Sequence, residues 1–590
     1  MKLGQSLKFV SQIGIFDWLP KYKRSDLADD GLAGLIVAIM LVPQGMAYAL
    51  LAGLPPQVGL YASIVPLILY GVFGSSRTLA VGPVAIVSLM VASVLGDLAD
   101  VGTVDMVSGA LILAFLSGAM LLLMGLARLG FLVNFLSHPV ISGFSSAAAL
   151  VIGISQLKHL LGFDIPRSHL ITETFAHAFT NIAQLNVPTF AIAMLALTIL
   201  LVWRSGLPSL LARTPLPKPV MNSIAKAGPL VCVVVTILLV WVFDLGGQYG
   251  VSIVGEVPSG LPPLTLPSFE VDVISQLVPA AFLISVVGFL ESVSVAKTLA
   301  SKKRQKVDAN QELVALGAAN IGAAFTGGYP VTGGFSRSLV NFTAGAVTPL
   351  ASIFTAGLVA LSVVFLTPLL FFLPKATLAA IIMVAVSSLI DLKAVRTAWT
   401  YNKADAGSLL VTFGAVLLLG VEAGIVAGAI LSIALYLWRT SRPHVAVVGR
   451  VGKTEHFRNE LRHEVQTYPS LLAVRVDESL YFANAAFLEA RLLADVADHP
   501  DVTDLVLIMS AVNFIDGSAL ESLENLIERL RDAGVTLHLA EVKGPVMDGL
   551  NKVDFEAKLQ PGRVFLSTHE AHRLLLGADE IGDVSMKLPA

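Results

Sequence analysis

Two ionisable residues stand out because an apolar chain has little reason to keep them where they are. Arg337 lies in GGYPVTGGFSRSLVNF (327–342), four glycines and a proline set between long apolar runs, and Glu291 lies inside the run FLESVSVA (289–296). Charged side chains at membrane depth are costly and mark substrate paths or proton relays. A guanidinium in the first turn of a helix adds a full charge to the amides exposed there, and Ser336 adds a hydroxyl donor; this is the chemistry of an anion site. A carboxylate beside such a site repels the anion unless it is protonated, so Glu291 is the candidate coupling group for proton symport. Plainer alternatives stand beside these readings. Arg337 snorkels or pairs with a buried carboxylate, the glycines only let helices approach, or Glu291 and Arg337 form a structural ion pair.

These residues need elements that bring them together. The chain is 55% hydrophobic over 590 residues, with a mean hydropathy of +0.78, which is a polytopic membrane composition. Apolar runs able to span, allowing for tilt and breaks, occur near 30–52, 57–74, 79–97, 107–127, 138–158, 187–204, 225–243, 278–300, 310–326, 334–345, 346–367, 375–390, 407–420 and 421–438. The start MKLGQSLKFVSQIGIFDWLPKYKRSD is basic, amphipathic and unlike a cleaved signal, so the N-terminus is expected in the cytoplasm. Alternating fourteen spans then puts every basic cluster there: Arg77, Arg128, Arg204 to Lys226, Lys302 to Lys306, and Lys393 to Lys403.

The segments at 78–90, with Gly82-Pro83, and at 334–342 are too short or too broken for continuous spans, and each is third in a run of seven. Gln44 to Pro83 is 39 residues and Glu291 to Gly334 is 43, and VPQGMAYA (42–49) can be laid on FLESVSVA. Seven is odd, so the halves have opposite orientation, and inverted repeats with broken helices at matching positions point to a midplane site in secondary transporters. Non-helical backbone at that depth survives only buried in protein or lining a cavity. Two half-helices meeting N-terminus to N-terminus make an anion site.

Residues 441–590 carry 15 Lys/Arg and 23 Asp/Glu, the charge density of a soluble domain. The expected division is a cytoplasmic segment 1–29, a transport domain 30–440 and a cytoplasmic domain 441–590. In the last, 471–476, 504–510 and 535–542 read as strands, and 484–499 and 518–534 as amphipathic helices, which makes an α/β domain. The face Leu520, Leu523, Ile527, Leu530 is expected in its core. The single cysteine, Cys232, excludes disulfides and cysteine metal sites.

VPQGMAYALLAGLPPQVGLYASIVPLILYGVFGSSRTLAVGP (42–83), FLESVSVAKTLA, VDANQELVALGAANIGAAF and TGGFSRSLVN closely resemble the signature regions of the sulfate permease (SulP) family, relatives of animal anion exchangers and prestin. Val58 departs from the more usual aromatic. The resemblance implies a polytopic α-helical fold of 14 spans as a 7+7 inverted repeat. A core (spans 1–4 and 8–11) moves against a gate (5–7 and 12–14) in a dimeric unit. It places substrate-site positions on Gln44, Tyr48, Val84, Ala85, Ser336 and Arg337, with Glu291 beside them. Gln44 could instead be interhelical glue and Tyr48 a packing aromatic, while Val84 and Ala85 would offer only backbone amides. In sodium-coupled relatives neighbouring oxygens assist the carboxylate; here Val295, one turn on, offers none, Ser292 and Ser294 project elsewhere, and backbone carbonyls near 328–334 remain open.

VLIMSAVNFIDGSALESL resembles the STAS domain of sulfate transporters and anti-sigma factor antagonists. There a serine in the matching turn is phosphorylated, which would fall on Ser518. The alternative is that Ser518-x-x-Glu521 is a capping box.

The expected function is a secondary active transporter in the cytoplasmic membrane that imports a small inorganic or carboxylate anion, sulfate first, coupled to a proton. A sodium-coupled bicarbonate symporter, a dicarboxylate transporter, an anion channel and a membrane sensor are the alternatives. No phosphate-binding loop, nucleophile with a base, or ligand cluster is recognisable, so an enzyme, a cofactor, a metal and a nucleic-acid partner are not expected. His138, His159 and His177 fall in one region and read as loop or interface histidines.

Overall fold

The computed structural model describes residues 13–100, 105–134, 137–166, 171–205, 227–267 and 270–577, with 207 and 224 besides. The basic positions Arg213, Lys218 and Lys226 lie outside them. The chain divides into two compact units, residues 1–432 and 433–590.

Among the described residues of the chain, eight helical stretches are long and apolar enough to cross a membrane, one of them the interrupted stretch Pro56–Phe73, and three more apolar helices are shorter. Those that build the site in the first unit are α1 (Asp26–Leu51), α2 (Ala85–Asp100), α3 (Met106–Leu126), α4 (Val271–Lys302), α5 (Ala309–Phe325), α6 (Phe335–Thr343) and α7 (Leu350–Phe365). The run at 57–74 is not one helix. It forms Pro56–Tyr61 and Val65–Phe73, with Ile64 outside helical geometry at φ −112°, ψ −82°; Pro66 has no N–H to give to the carbonyl four residues back.

In lipid, helices gain little from hydrophobicity and pack through small residues. Helices α3 and α5 do so at Gly118 and Gly317, where a Cβ on either would stand 2.9 Å from the other's carbonyl oxygen. A Ser117–Ser285 contact of 2.9 Å ties α3 to α4.

Two buried carboxylates fix the loops on either side of the breaks. Glu312, in the first turn of α5, accepts from Tyr70 Oη at 2.8 Å, Ser75 N at 2.9 Å, Ser75 Oγ at 2.7 Å and Ser76 N at 3.0 Å. Asp30, on α1, accepts from Val347 N at 2.7 Å, Thr348 N at 3.1 Å and Thr348 Oγ1 at 2.5 Å, just ahead of α7. The donors of Tyr70, Ser76 and Thr348, all buried, would otherwise be orphaned away from water.

The two breaks pair with each other. Strand β1 (Val81–Gly82) runs antiparallel to β2 (Thr332–Gly333), with Val81 opposite Gly333 and Gly82 opposite Thr332.

The second unit is a six-stranded sheet in the order β4-β3-β5-β6-β7-β8: β3 (Val445–Arg450), β4 (Phe457–Asn459), β5 (Leu471–Val476), β6 (Asp504–Ile508), β7 (Thr536–Ala540) and β8 (Val564–Phe565). Strands β5 to β8 are parallel, and β3 is antiparallel to both its neighbours. Helices α8 (Ala485–Ala497), α9 (Gly517–Asp532) and α10 (Thr568–Leu576) complete it. Two sequence expectations need correcting. The fully buried stripe of α9 is Leu523, Leu526, Ile527 and Leu530, with Leu520 only partly covered. The N-cap is Asp516, not Ser518: its carboxylate accepts from Ala519 N at 2.9 Å and from Phe482 N at 2.9 Å. A carboxylate is the stronger acceptor at a positive helix end, and Ser518 is left exposed inside the first turn.

Candidate anion site

The site grows from the small ladder. At Gly82 the chain has φ +149°, a conformation side chains rarely adopt. Pro83 follows, and the first helical bond of α2 runs from Ser88 N to Val84 O at 3.0 Å. On the other side Gly334 is extended (φ −91°, ψ 131°) and caps α6, whose first bond is Ser338 N to Gly334 O at 3.0 Å. Gly334 N also donates to Ala80 O at 3.1 Å. Both helices therefore start from one ladder, and the first amides of each have no carbonyl partner within their own helix.

Polar side chains hold the ladder. Ser292 Oγ, fully buried on α4, accepts from Gly333 N at 2.8 Å and contacts Thr332 Oγ1 at 2.6 Å, and that hydroxyl donates to Gly288 O at 2.6 Å. Ser292 thus turns away from any role beside Glu291. Asn320 of α5 acts as a strand neighbour for Val331, giving Nδ2 to its carbonyl and taking its N–H on Oδ1, both at 2.9 Å. Ser338 Oγ accepts from Ala80 N at 2.9 Å, and Asn341 Nδ2 donates to Thr78 O at 3.1 Å. Tyr329, wholly buried, contacts Ser88 Oγ at 2.8 Å, and Ser88 in turn donates to Val84 O at 2.8 Å.

Arg337 sits in the middle of this frame and is only 2% exposed. Its Nη1 donates to Pro83 O, across to the opposite break. Its guanidinium fits against two glycines: a Cβ on Gly82 would lie 3.3 Å from Nη2, and one on Gly334 would lie 3.1 Å from Nη2 and 3.1 Å from Val84 Cγ1. Nε and Nη2 are buried and have no partner. These two nitrogens form one edge of the guanidinium, the fork that matches two oxygens of an oxyanion.

No ion pair joins Arg337 to Glu291, so the structural-pair alternative fails. Glu291 Oε2 is buried with no hydrogen-bond partner, although Arg337 lies within electrostatic range of Glu291, Tyr48 and Tyr329. Of the other expected positions, Gln44 and Tyr48 are buried on α1 and Val84 and Ala85 are buried at the start of α2. The Gln44 amide and Tyr48 hydroxyl make no hydrogen bond to a described residue, and Ser336 is exposed beside Arg337. Among the described residues, no group of three or more His, Cys, Asp or Glu could hold a metal ion.

The sequence reading missed Tyr329, Ser88, Asn320, Ser338 and the Pro83 carbonyl. The available signal was polar side chains recurring inside small-residue helices close to each break.

The family model described as Sulfate permease family matches residues 27–412, and a STAS domain model matches residues 462–571. The chain belongs to the sulfate permease family. It is similar to Sulfate transporter 4.1, chloroplastic, of Arabidopsis thaliana, at 38% identity over 89% of this chain and 77% of that one. It is similar also to High affinity sulfate transporter 2 of Stylosanthes hamata, at 32% identity over 94% and 85%. Among solved structures it resembles the murine Solute Carrier 26 family member A9 anion transporter in the inward-facing state, with a TM-score of 0.88 and 27% identity over 96% and 94% of the two chains. This sulfate permease relative is therefore a multi-pass membrane protein of the solute carrier 26 fold with a STAS domain, and its relatives are transporters rather than enzymes.

Proposed function

We propose that this chain is a secondary active transporter that imports sulfate by proton symport, with the anion held between the starts of α2 and α6. The observation that carries the reading is the free Nε and Nη2 edge of Arg337, a buried cation with no carboxylate against it. A buried charge without a partner is expensive, and an oxyanion on that edge relieves the cost while the amides of two helix ends supply further donors. On this reading Gln44, Tyr48 and Ser336 serve as neutral donors to the anion and Val84 and Ala85 as backbone amides; Tyr48 lies within electrostatic range of Arg337.

Glu291 is the proton-carrying group. Apart from Ser145, the side chains that share its cavity are hydrocarbon, surroundings that favour a neutral carboxyl over a carboxylate with sodium. The relatives named as sulfate transporters favour sulfate over the bicarbonate and dicarboxylate alternatives. The remaining parts of this reading come from the family resemblance. They are fourteen spans as a 7+7 inverted repeat, a core moving against a gate as an elevator, a homodimer, and a cytoplasmic-membrane location with both termini inside. Ser518, exposed in the first turn of α9, is the position a regulatory kinase would modify.

The test is uptake of labelled sulfate by purified protein in liposomes under an inward proton gradient, then under an inward sodium gradient. Accumulation driven by protons and lost in Glu291→Gln is the expected result. Uptake indifferent to both the gradient and that substitution would overturn the coupling, and sodium-driven uptake would transfer the role to backbone oxygens.

A further inference from the structure

On the proposed division into core and gate, two connections cross from one to the other close together. Residues 250–267 run without a helix from Leu245–Tyr249, after span 7, towards α4, which is span 8. Residues 366–374 join α7, span 11, to the helix Lys375–Val386, span 12. The two are zipped together. Lys375 N donates to Ser252 O at 2.9 Å, Val254 N to Leu373 O at 2.8 Å and Gly255 N to Phe371 O at 3.1 Å, with Ile253 opposite Pro374 in an antiparallel bridge. Proline fits there, because the residues facing each other in a pair of this kind exchange no hydrogen bond. Val251 beside it is 3% exposed and shares a buried cluster with Ile192, Ala376 and Ala379, which fastens this end to gate helices.

The other end of the first connection is fastened to the core. Thr265 N donates to Phe325 O at 3.0 Å, and the Thr265 hydroxyl donates to Ala324 O at 2.8 Å and accepts from Gly327 N at 3.0 Å. Those partners end α5 and open the stretch that leads to β2 and Arg337. Between the fastenings, residues 256–264, EVPSGLPPL, make no backbone hydrogen bond to another described residue. Three prolines stiffen this arm. Gly255 at φ +79° and Gly260 at φ +130° turn it, and a Cβ on either would meet nothing within 4 Å, so these glycines serve rotation rather than close packing.

We infer that the two zipped connections work as one hinge, in which the bridge at Ile253 and Pro374 stays closed while residues 256–264 form the arm whose reach limits the travel of the core. The inference rests on the proposed movement of the core against the gate. A link between two moving bodies has to be held firmly by each, so that displacement concentrates in the few residues left between them. Thr265 delivers the pull of the arm to the stretch that carries the second break.

The experiment changes the length of the arm and locks the bridge. Deleting Ser259 and Gly260 shortens the arm by up to about 7 Å, and inserting Gly-Ser after Ser259 lengthens it at little entropic cost. Each variant is assayed for proton-driven sulfate uptake in liposomes and, in detergent, for sulfate binding by calorimetry. The expected result is maximal uptake at least tenfold lower in the deletion, with the sulfate dissociation constant within twofold of wild type, and near-normal uptake in the insertion. Separately, Ile253→Cys with Pro374→Cys is made in a Cys232→Ala background. Residues facing each other in this way have Cα atoms about 4.5 Å apart, within reach of a disulfide, and oxidation should leave uptake unchanged. A folded deletion variant that transports like wild type overturns the hinge, as does an insertion as damaging as the deletion, since reach is then not what matters. Uptake blocked by oxidation and restored by reduction overturns the closed bridge. Deleting Ser259 alone keeps the test available if the larger deletion fails to fold. Wild-type protein that accumulates sulfate under neither a proton nor a sodium gradient removes the moving carrier, and the hinge with it; wild-type accumulation beside an indifferent deletion removes the hinge alone.

Discussion

Glu312 and Glu291 are both glutamates within apolar helices of the same unit, and the chain treats them in opposite ways. Glu312 receives four hydrogen bonds, from two backbone amides and two hydroxyls, and locks the loop that leads to the first break. Glu291 has a buried oxygen that receives none, and two nitrogens of nearby Arg337 are equally bare. Where a buried polar group is saturated, the fold is using it. Where a charged group such as Arg337 is left wanting, a missing partner completes it.

The sharpest way to break this contrast is at Arg337. Arg337→Ala should lower sulfate uptake by about two orders of magnitude while thermal stability holds or rises, because an uncompensated buried charge has been removed; a collapse in stability with uptake preserved would place Arg337 with Glu312 instead. Glu312→Ala should do the reverse. Several buried donors lose their acceptor, and a loss of about 3 kcal/mol is expected in thermal or denaturant unfolding, whereas Glu291→Gln should leave the melting temperature nearly unchanged. Between these extremes lie the glycines. Gly82→Ala forces a side chain into φ +149° and against the guanidinium, and should reduce uptake roughly tenfold through strain of order 1–3 kcal/mol. Gly334→Ala, at an ordinary φ, should cost less. Ser338→Ala removes the acceptor for Ala80 N and should destabilise by about 1–3 kcal/mol. The smallest change is expected for Ser336→Ala, a few-fold rise in the KM for sulfate from loss of one exposed donor.

Much of this frame was legible in the sequence because it is written in backbone chemistry. Gly82-Pro83 and the paired glycines at 333–334, in runs too short to span, disfavour continuous helix, so both breaks could be placed, and the periodicities of the tail located three strands and two helices of the second unit. What could not be read was pairing. That Arg337 finds a carbonyl at Pro83, that Asn320 completes a strand edge for Val331, and that Ser292 turns to the ladder all depend on which helices adjoin. Spacing along one chain does not encode that. The Ser518 capping box failed for a local reason: Ser518-x-x-Glu521 fits the pattern, but Asp516 two residues earlier is the better acceptor and wins the helix end.

The contact between Arg337 and Pro83 spans 254 residues of chain, and β1 has no strand partner until β2 has been made. During synthesis the first break therefore waits, half-built, while many intervening helices enter the membrane. Its exposed amides are satisfied only when the second half arrives. The protein should accordingly tolerate being produced as two separate polypeptides cut between the halves, with neither inserting into a stable form alone and transport returning when both are made in the same cell.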